Sequence, residues 1–524
     1  MADFEYMTAE KARQKWAFEI PPAPVPENEI KETRCADVVV VGEGFSGLCT
    51  ALSALEAGLS VTVVTGGTRP DGRGGSIFAA YSKAMERAGY PRQEVENFYL
   101  QEFASNAFQV DQRKWYKFYN HSEEAMNWLI DKMEAAGFQT VFEDVISEDP
   151  MCPDFQPYGT HGFVGGNISA AGRGITLALA VLEKDFLAKG GSVVYRTVAR
   201  QLERENGNSG RVCAVLAQQE DGAYVRFRAS KAVVLATGDF SANPEMMAKY
   251  CPNYAKYFPA GQHCYDVGFS PKGLYRGDGH LMALWAGAAW QRTYPNAVMV
   301  QGSTAGGNLP YAGHRGLRLN NRGERYCNED MNAPYTALTV IREPGGEAFA
   351  IWGTNYAYEL PWRFLGFRQG DPDAAPETVI ERWEKQVASG RYKKSDTIEG
   401  LVEQLGLPRE KALAEIERYN ELCRAGEDSD FHKKRKYLQE LRDAPFYGAP
   451  INLFLGFSTL GGPRTDSDLR ICDENDVPLG GLYAEGSMIG DMFAGCYNFR
   501  IAGHNYGLGL TFGYLTGKFI AENE

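Results

Sequence analysis

Four β-branched residues, Val38–Val41, run straight into Gly42-Glu43-Gly44-Phe45-Ser46-Gly47. A stretch of helical composition, Leu48 to Ala57, follows and closes at Gly58, and Leu59 to Val64 is a second run rich in β-branched residues. Two strands joined through one short helix must lie parallel, and parallel strands are covered on both faces. The glycine spacing has a mechanical meaning: Gly42 permits a tight turn, Gly44 lets backbone approach a diphosphate, and Gly47 lets helix and strand pack closely. The helix start adds unpaired N–H groups and partial positive charge. The segment therefore predicts an α/β fold with a Rossmann-like dinucleotide-binding domain, and places Gly42, Gly44, Phe45, Ser46 and Gly47 at the dinucleotide. The position after the second strand usually carries an acid for ribose hydroxyls; here it is Thr65, a neutral and weaker partner. Arg69 nearby would suit a 2′-phosphate, a reading that later motifs displace.

The 524 residues leave room for two to four domains, at roughly 150 residues each. A formal net charge of −13 argues against non-specific binding to nucleic acid or to an anionic membrane surface. No apolar run approaches the roughly 18 residues of a membrane span. Residues 1–30 are polar and then Pro-rich, which predicts no export signal. The ten cysteines are scattered, with no CxxC pair, as suits a reducing compartment, so a cytoplasmic location is expected. Further elements follow from pattern: helices over Ala107–Gly137 and Ile175–Lys189, antiparallel strands Ser192–Val198 and Val212–Arg228, and a buried strand Lys231–Leu235. A hairpin is expected over Leu317–Tyr326, and amphipathic helices over Pro376–Ser389 and Pro408–Ala425. The charged segment Asp428–Lys436 is expected to be a solvated surface.

Several ordered blocks together resemble the flavoprotein family of fumarate reductases, succinate dehydrogenases and 3-ketosteroid dehydrogenases. They are Gly42–Gly47; Gly74-Gly75-Ser76-Ile77-Phe78-Ala79; the strand ending Ala236-Thr237-Gly238; Gly277-Asp278-Gly279; Arg325–Glu329; Thr459–Gly462; and Gly481–Ser487, before a closing helix over Gly503–Lys518. The resemblance spans residue 36 to the end. It implies a discontinuous FAD-binding domain, 35–271 and 450–524, with an inserted α+β capping domain over 272–449 and an N-terminal extension over 1–34. Thr65, Gly74, Gly75, Ser76, Ala236, Thr237, Gly238, Asp278, Glu485, Gly486 and Ser487 join the glycine turn as expected FAD contacts. Relatives often tether the flavin to a histidine near the second block; Gly74–Ala80 contains none, so non-covalent FAD is expected. Haem and iron–sulfur motifs are absent, so the resemblance implies an external electron donor or acceptor alongside a small-molecule substrate.

The site pattern departs from the dicarboxylate-acting members. Phe457 and Ser458 precede the Thr459–Gly462 block where histidine is expected, and Asp330–Tyr335 lacks the arginine that follows Arg325–Glu329 in the reductases. A carboxylate clamp needs cationic donors in fixed geometry. The Pro334-Tyr335 ending instead resembles the ketosteroid dehydrogenase branch, which implies Tyr335 as proton donor or acceptor and Tyr497 or Arg500 as the group that polarises the substrate. His504 is read as a flavin contact, a catalytic acid or a cap, and His314 as a weaker candidate; Tyr311 and Tyr326 are read as packing. The expected activity is hydride transfer between flavin N5 and a C–C bond of a bulky ring compound, such as a ketosteroid or polyphenol of the isoflavonoid kind. The alternatives are a fumarate- or urocanate-type small-acid reductase, with Arg315, Arg318 and Arg500 as clamp, and a flavin-binding electron carrier.

Overall fold

The computed structural model describes residues 16–72, 77–142, 159–165, 175–257, 274–304, 316–331, 333–359, 375–497, 501 and 503–524. Gly74, Gly75, Ser76, Arg500, Tyr311, His314 and Arg315 lie outside them.

The chain lays down β1 (Ile30–Val41), α1 (Phe45–Glu56) and β2 (Val61–Val64), with β1 and β2 parallel. All four valines of Val38–Val41 are buried: Val38 and Val40 join the core beneath α1, and Val39 and Val41 the core on the opposite face. Burial on both faces is why this strand reads as an unbroken apolar run. β1 begins at Ile30, ahead of that run and within the expected N-terminal extension, because residues from Ile30 onward pair with a later strand.

A small antiparallel sheet follows, of β3 (Ile77–Phe78), β4 (Phe138–Phe142) and β5 (Thr160–Gly165), with the long helix α2 (Gln112–Ala135) between β3 and β4. Next come α3 (Ile175–Ala188), β6 (Ser192–Val194), β7 (Thr197–Arg204), β8 (Val212–Gln219) and β9 (Tyr224–Leu235). The antiparallel pair expected of Ser192–Val198 and Val212–Arg228 is shifted: β6 pairs parallel to β2, the antiparallel pair is β7 with β8, and β9 runs parallel to β1.

Helix α4 (Asp278–Trp285) leads to a second sheet of five strands: β10 (Val298–Thr304), β11 (Arg318–Asn320), β12 (Ala348–Gly353), β13 (Lys393–Ser395) and β14 (Phe446–Thr459). Helices α5 (Ala333–Val340), α6 (Pro376–Ala388) and α7 (Arg409–Ala425) lie in the same stretch. β14 pairs with β12 through Phe446–Pro450 and with β10 through Ile451–Thr459, so the strand continues across position 450. The chain then returns to the first sheet with β15 (Arg470–Cys472) and β16 (Pro478–Ala484), which joins β9 in parallel. It ends in α8 (His504–Asn523). Gly509, Gly513 and Gly517 turn one stripe of α8 onto α1: a Cβ at Gly513 would lie 2.8 Å from the Ser46 carbonyl oxygen, and one at Gly517 2.6 Å from the Ala54 nitrogen. No helix among the described residues is long and apolar enough to cross a membrane.

The expectation of a solvated surface over Asp428–Lys436 holds for Asp430, His432, Arg435 and Lys436, which are exposed, and is corrected at two positions. Asp428 and Lys433 are buried, together with Arg325 and Glu329. Arg325 donates to both oxygens of Glu329, at 2.8 and 2.8 Å, and to both of Asp428, at 3.1 and 2.7 Å. Lys433 Nζ lies 3.3 Å from Glu329. These charges turn inward because each finds a partner on a distant segment; the Arg325–Glu329 block clasps the loop at 428–433. Burial works to raise the Asp428 carboxyl, but hydrogen bonds from Arg325 and from the Phe431 and Lys433 N–H groups hold it down at about 2. Its unfolded value is about 3.9, so this stabilisation is complete above that pH and fades as pH falls through about 2. Asp428→Ala strands a buried guanidinium and should destabilise the protein by about 3–5 kcal/mol at neutral pH. Melting curves against pH should show the gap between native and variant narrowing as pH drops from about 4 to about 2.

Candidate functional site

Strand ends of a parallel sheet face one way, and crevices at their carboxyl ends are where such sheets bind ligands. Here a cleft with about 1650 Å³ of empty space runs along that edge. It is lined by Gly42–Ser46 after β1, Thr65–Gly67 after β2, Ala236–Asp239 after β9 and Glu485–Ser487 after β16. Its lining also takes in Met299 of β10, Ser458 of β14, Tyr497, and Gly503, Asn505 and Tyr506 around the start of α8. Its lining runs past the ends of four strands to the start of α8, an extended course that suits an elongated ligand.

The glycine turn fits that occupant. Gly42 has φ +110°, and a Cβ there would lie 2.2 Å from the Ala236 carbonyl oxygen, so the turn is pressed against the end of β9. A Cβ at Gly47 would meet the Gly42 oxygen at 2.2 Å, while one at Gly44 would meet nothing within 4 Å. Gly44 therefore presents bare backbone to the cleft. It is also the N-cap of α1, and no side chain caps the helix there. The N–H groups of the first turn are left for a ligand, as diphosphate binding requires. Phe45 is buried, edge-on to Tyr506 at 5.6 Å. Ser46 packs so tightly on Gly486 that a Cβ at Gly486 would be 2.5 Å from the serine Oγ.

Other expected residues reach the same cleft. The Thr65 hydroxyl accepts from the Gly67 N–H at 3.1 Å. Thr237 accepts from the Gly279 N–H at 3.1 Å, fixing the start of α4 against Gly238. Asp278 lies 3.9 Å from Arg200; burial raises its carboxyl against the pull of Arg200. Glu485 is fully buried, and burial pushes it up to about 8. Asn505 Nδ2 donates to the Ser487 hydroxyl at 3.4 Å, joining the β16 end to α8. Glu43, Met299, Asn505 and Tyr506 line the cleft and escaped the sequence reading. Glu43 stands inside the motif itself, and an acid next to a diphosphate site was the available signal.

The structure separates the catalytic candidates. Tyr497 is buried and lines the cleft. The Asn505 N–H donates to its hydroxyl at 3.4 Å. Burial drives that hydroxyl's pKa upward, against the backbone N–H groups of Asn505, His504 and Gly503, so the phenol is protonated at neutral pH. His504 turns elsewhere and is not among the cleft-lining residues. Its Nδ1 lies 2.5 Å from Glu102 Oε1, and Phe78, Phe98, Trp115 and Phe118 cage its ring at centroid distances between 4.5 and 5.8 Å. Tyr335, on α5, is half-buried against a cluster containing Phe240, Met246 and Val300, off the cleft lining.

Known proteins match this arrangement. Vinyl phenol reductase of Lactiplantibacillus plantarum is 25% identical, over 93% of this chain and 96% of its own length. A 3-oxosteroid 1-dehydrogenase of Mycolicibacterium smegmatis is 24% identical, over 93% of this chain and 97% of its own. The crystal structure of 3-ketosteroid-Δ4-(5α)-dehydrogenase from Rhodococcus jostii, in complex with 4-androstene-3,17-dione, superposes with a TM-score of 0.73 at 22% identity, covering 95% of this chain and 99% of that one. The FAD binding domain family matches residues 37–500. That span is most of the chain, which therefore belongs to the FAD binding domain family and is an FAD-dependent oxidoreductase.

Proposed function

We propose that this enzyme transfers hydride between FAD and a C–C bond of a neutral ring compound, of the ketosteroid or polyphenol kind. The observation that carries the reading is the chemistry of the cleft beside the second sheet. Met299, Ser458 and Tyr497 contribute a thioether, a hydroxyl and a phenol. The one cation among the described lining residues is Arg69, in the loop after β2. Holding a dicarboxylate takes paired cationic donors; a ring ketone or phenol takes an apolar wall and one hydrogen-bond donor. The names of the relatives, which act on a vinyl phenol and on 3-oxosteroids, support the same substrate class.

FAD, when bound, supplies the hydride chemistry, and the chain supplies position and proton control. The N–H groups at Gly44–Gly47 would hold the diphosphate, and Thr237, Asp278, Glu485 and Ser487 line the same cleft as Tyr497. The Tyr497 hydroxyl, anchored through its oxygen by the Asn505 N–H, donates a hydrogen bond to the substrate oxygen and stabilises the charge that develops there. The FAD is held non-covalently, and an external carrier delivers or removes its electrons. The eight described cysteines are free thiols, which supports a reducing compartment.

Five outcomes test this. Acid precipitation should release the flavin into the supernatant, and Gly44→Ala should fold normally yet lose FAD affinity by ~10-fold or more, because its methyl occupies the space a diphosphate needs. In anaerobic stopped-flow, vinyl phenols, enones or saturated ketosteroids should exchange electrons with the flavin and fumarate should not; turnover of fumarate alone would overturn the substrate class. Tyr497→Phe should lower kcat by ~10²-fold, whereas Tyr335→Phe, off the cleft, should leave it nearly unchanged.

A further inference from the structure

The end of β2 lacks the group that a dinucleotide site ordinarily places there. An acid at that position takes the ribose hydroxyls; here Thr65 fills it, with its hydroxyl already engaged by the Gly67 N–H at 3.1 Å. A carboxyl is nevertheless close at hand. Glu43, inside the glycine turn, lines the same cleft as Thr65, Gly66 and Arg69. It is 3% exposed, and neither of its oxygens makes a well-formed hydrogen bond, although Tyr195 and Glu183 lie beside it. Its carboxyl reaches towards Tyr195 and Glu183. Tyr195 follows β6, and its neighbour Val194 accepts from the Thr65 N–H at 3.0 Å. A Glu43 carboxyl beside Tyr195 therefore stands close to the end of β2. The Tyr195 hydroxyl donates to Glu183.

We infer that Glu43 pairs with the ribose diol of the adenosine half of FAD, taking from within the glycine turn the role that an acid at the end of β2 would otherwise have. A buried carboxyl without well-formed hydrogen bonds is unfavourable until a ligand satisfies it. A vicinal diol offers two hydroxyls at the spacing of two carboxyl oxygens. Burial first, then the nearby Glu183, push Glu43 up to about 8. At neutral pH the group is therefore largely un-ionised; it can donate as well as accept, and sets little negative charge beside the diphosphate.

The inference rests on FAD occupying this cleft, and the test separates the two. Flavin-free protein is titrated with FAD, with FAD whose adenosine carries a 2′-deoxyribose, and with FMN, followed by flavin fluorescence. The native protein should bind FAD ~10-fold more tightly than the deoxy analogue. Glu43→Ala should bind FAD ~10-fold or more weakly, lose the preference over the deoxy analogue, and keep its FMN affinity. Glu43→Gln, which preserves shape, should fall between the two and carries the test should the alanine variant not fold. Undiminished discrimination against the deoxy analogue in both variants would overturn the role of Glu43. Failure of the native protein to take up FAD would overturn the cofactor assignment instead.

Discussion

One strand, β9, holds the site together through its backbone hydrogen bonds. Along one edge it pairs with β1 over its whole length. Along the other it pairs first with β8, antiparallel, and then with β16, parallel. The ladder aligns three chain reversals at one level: the Ala236 N–H donates to Val41, the Glu485 N–H to Leu235, and the Gly42 N–H to Val64, at 2.8, 2.8 and 2.9 Å. Segments from about two hundred to more than four hundred residues apart in sequence thereby form one edge of one cleft. The packing of α8 on α1 through its glycine stripe repeats the closure on the next layer. A side chain at Gly509 or Gly513 would press on α1 at Ser46, in its first turn, and one at Gly517 on its last turn.

The parts legible in the sequence are those whose cause is local. Val38–Val41 must be buried on both faces, and the spacing of Gly42, Gly44 and Gly47 has one mechanical explanation, so the strand, turn and helix could be read outright. The parts missed have distant causes. Lys31, Glu32 and Arg34 carry no strand signal of their own, and join β1 only because β9 supplies partners from Tyr224 onward. Asp428 and Lys433 look like solvated charges until Arg325 and Glu329, about a hundred residues earlier, are brought against them. The change of composition at Pro450 suggested a boundary, where β14 continues from one pairing partner to the next.

The same limit applies to the candidate site. Tyr497 and His504 are seven positions apart, and their types made both plausible acids. What separates them is direction: the Tyr497 phenol lines the cleft, and the His504 imidazole lies in an aromatic cage with Glu102. Neither the cage nor the glutamate is visible from the neighbourhood of His504 in sequence. Glu43 is the converse case, a residue visible inside the motif whose relevance appears only when Thr65 is seen to be engaged elsewhere.

A chain of net charge −13 has to hold a dianionic diphosphate in a cleft that also contains acids. Among the described lining residues Arg69 is the one cation, and two further features ease the placement of that charge. Burial keeps Glu43 and Glu485 near 8, which leaves them largely neutral at physiological pH. Two helices, α1 and α8, begin at the cleft with Gly44 and Gly503 as N-caps, and no side chain caps either one. Backbone N–H groups carry only partial charge and act at hydrogen-bond distance, so they help a diphosphate only if it comes against bare backbone. The density of glycine along this edge then serves electrostatics as well as sterics: close approach to the main chain brings those partial charges within reach of the diphosphate.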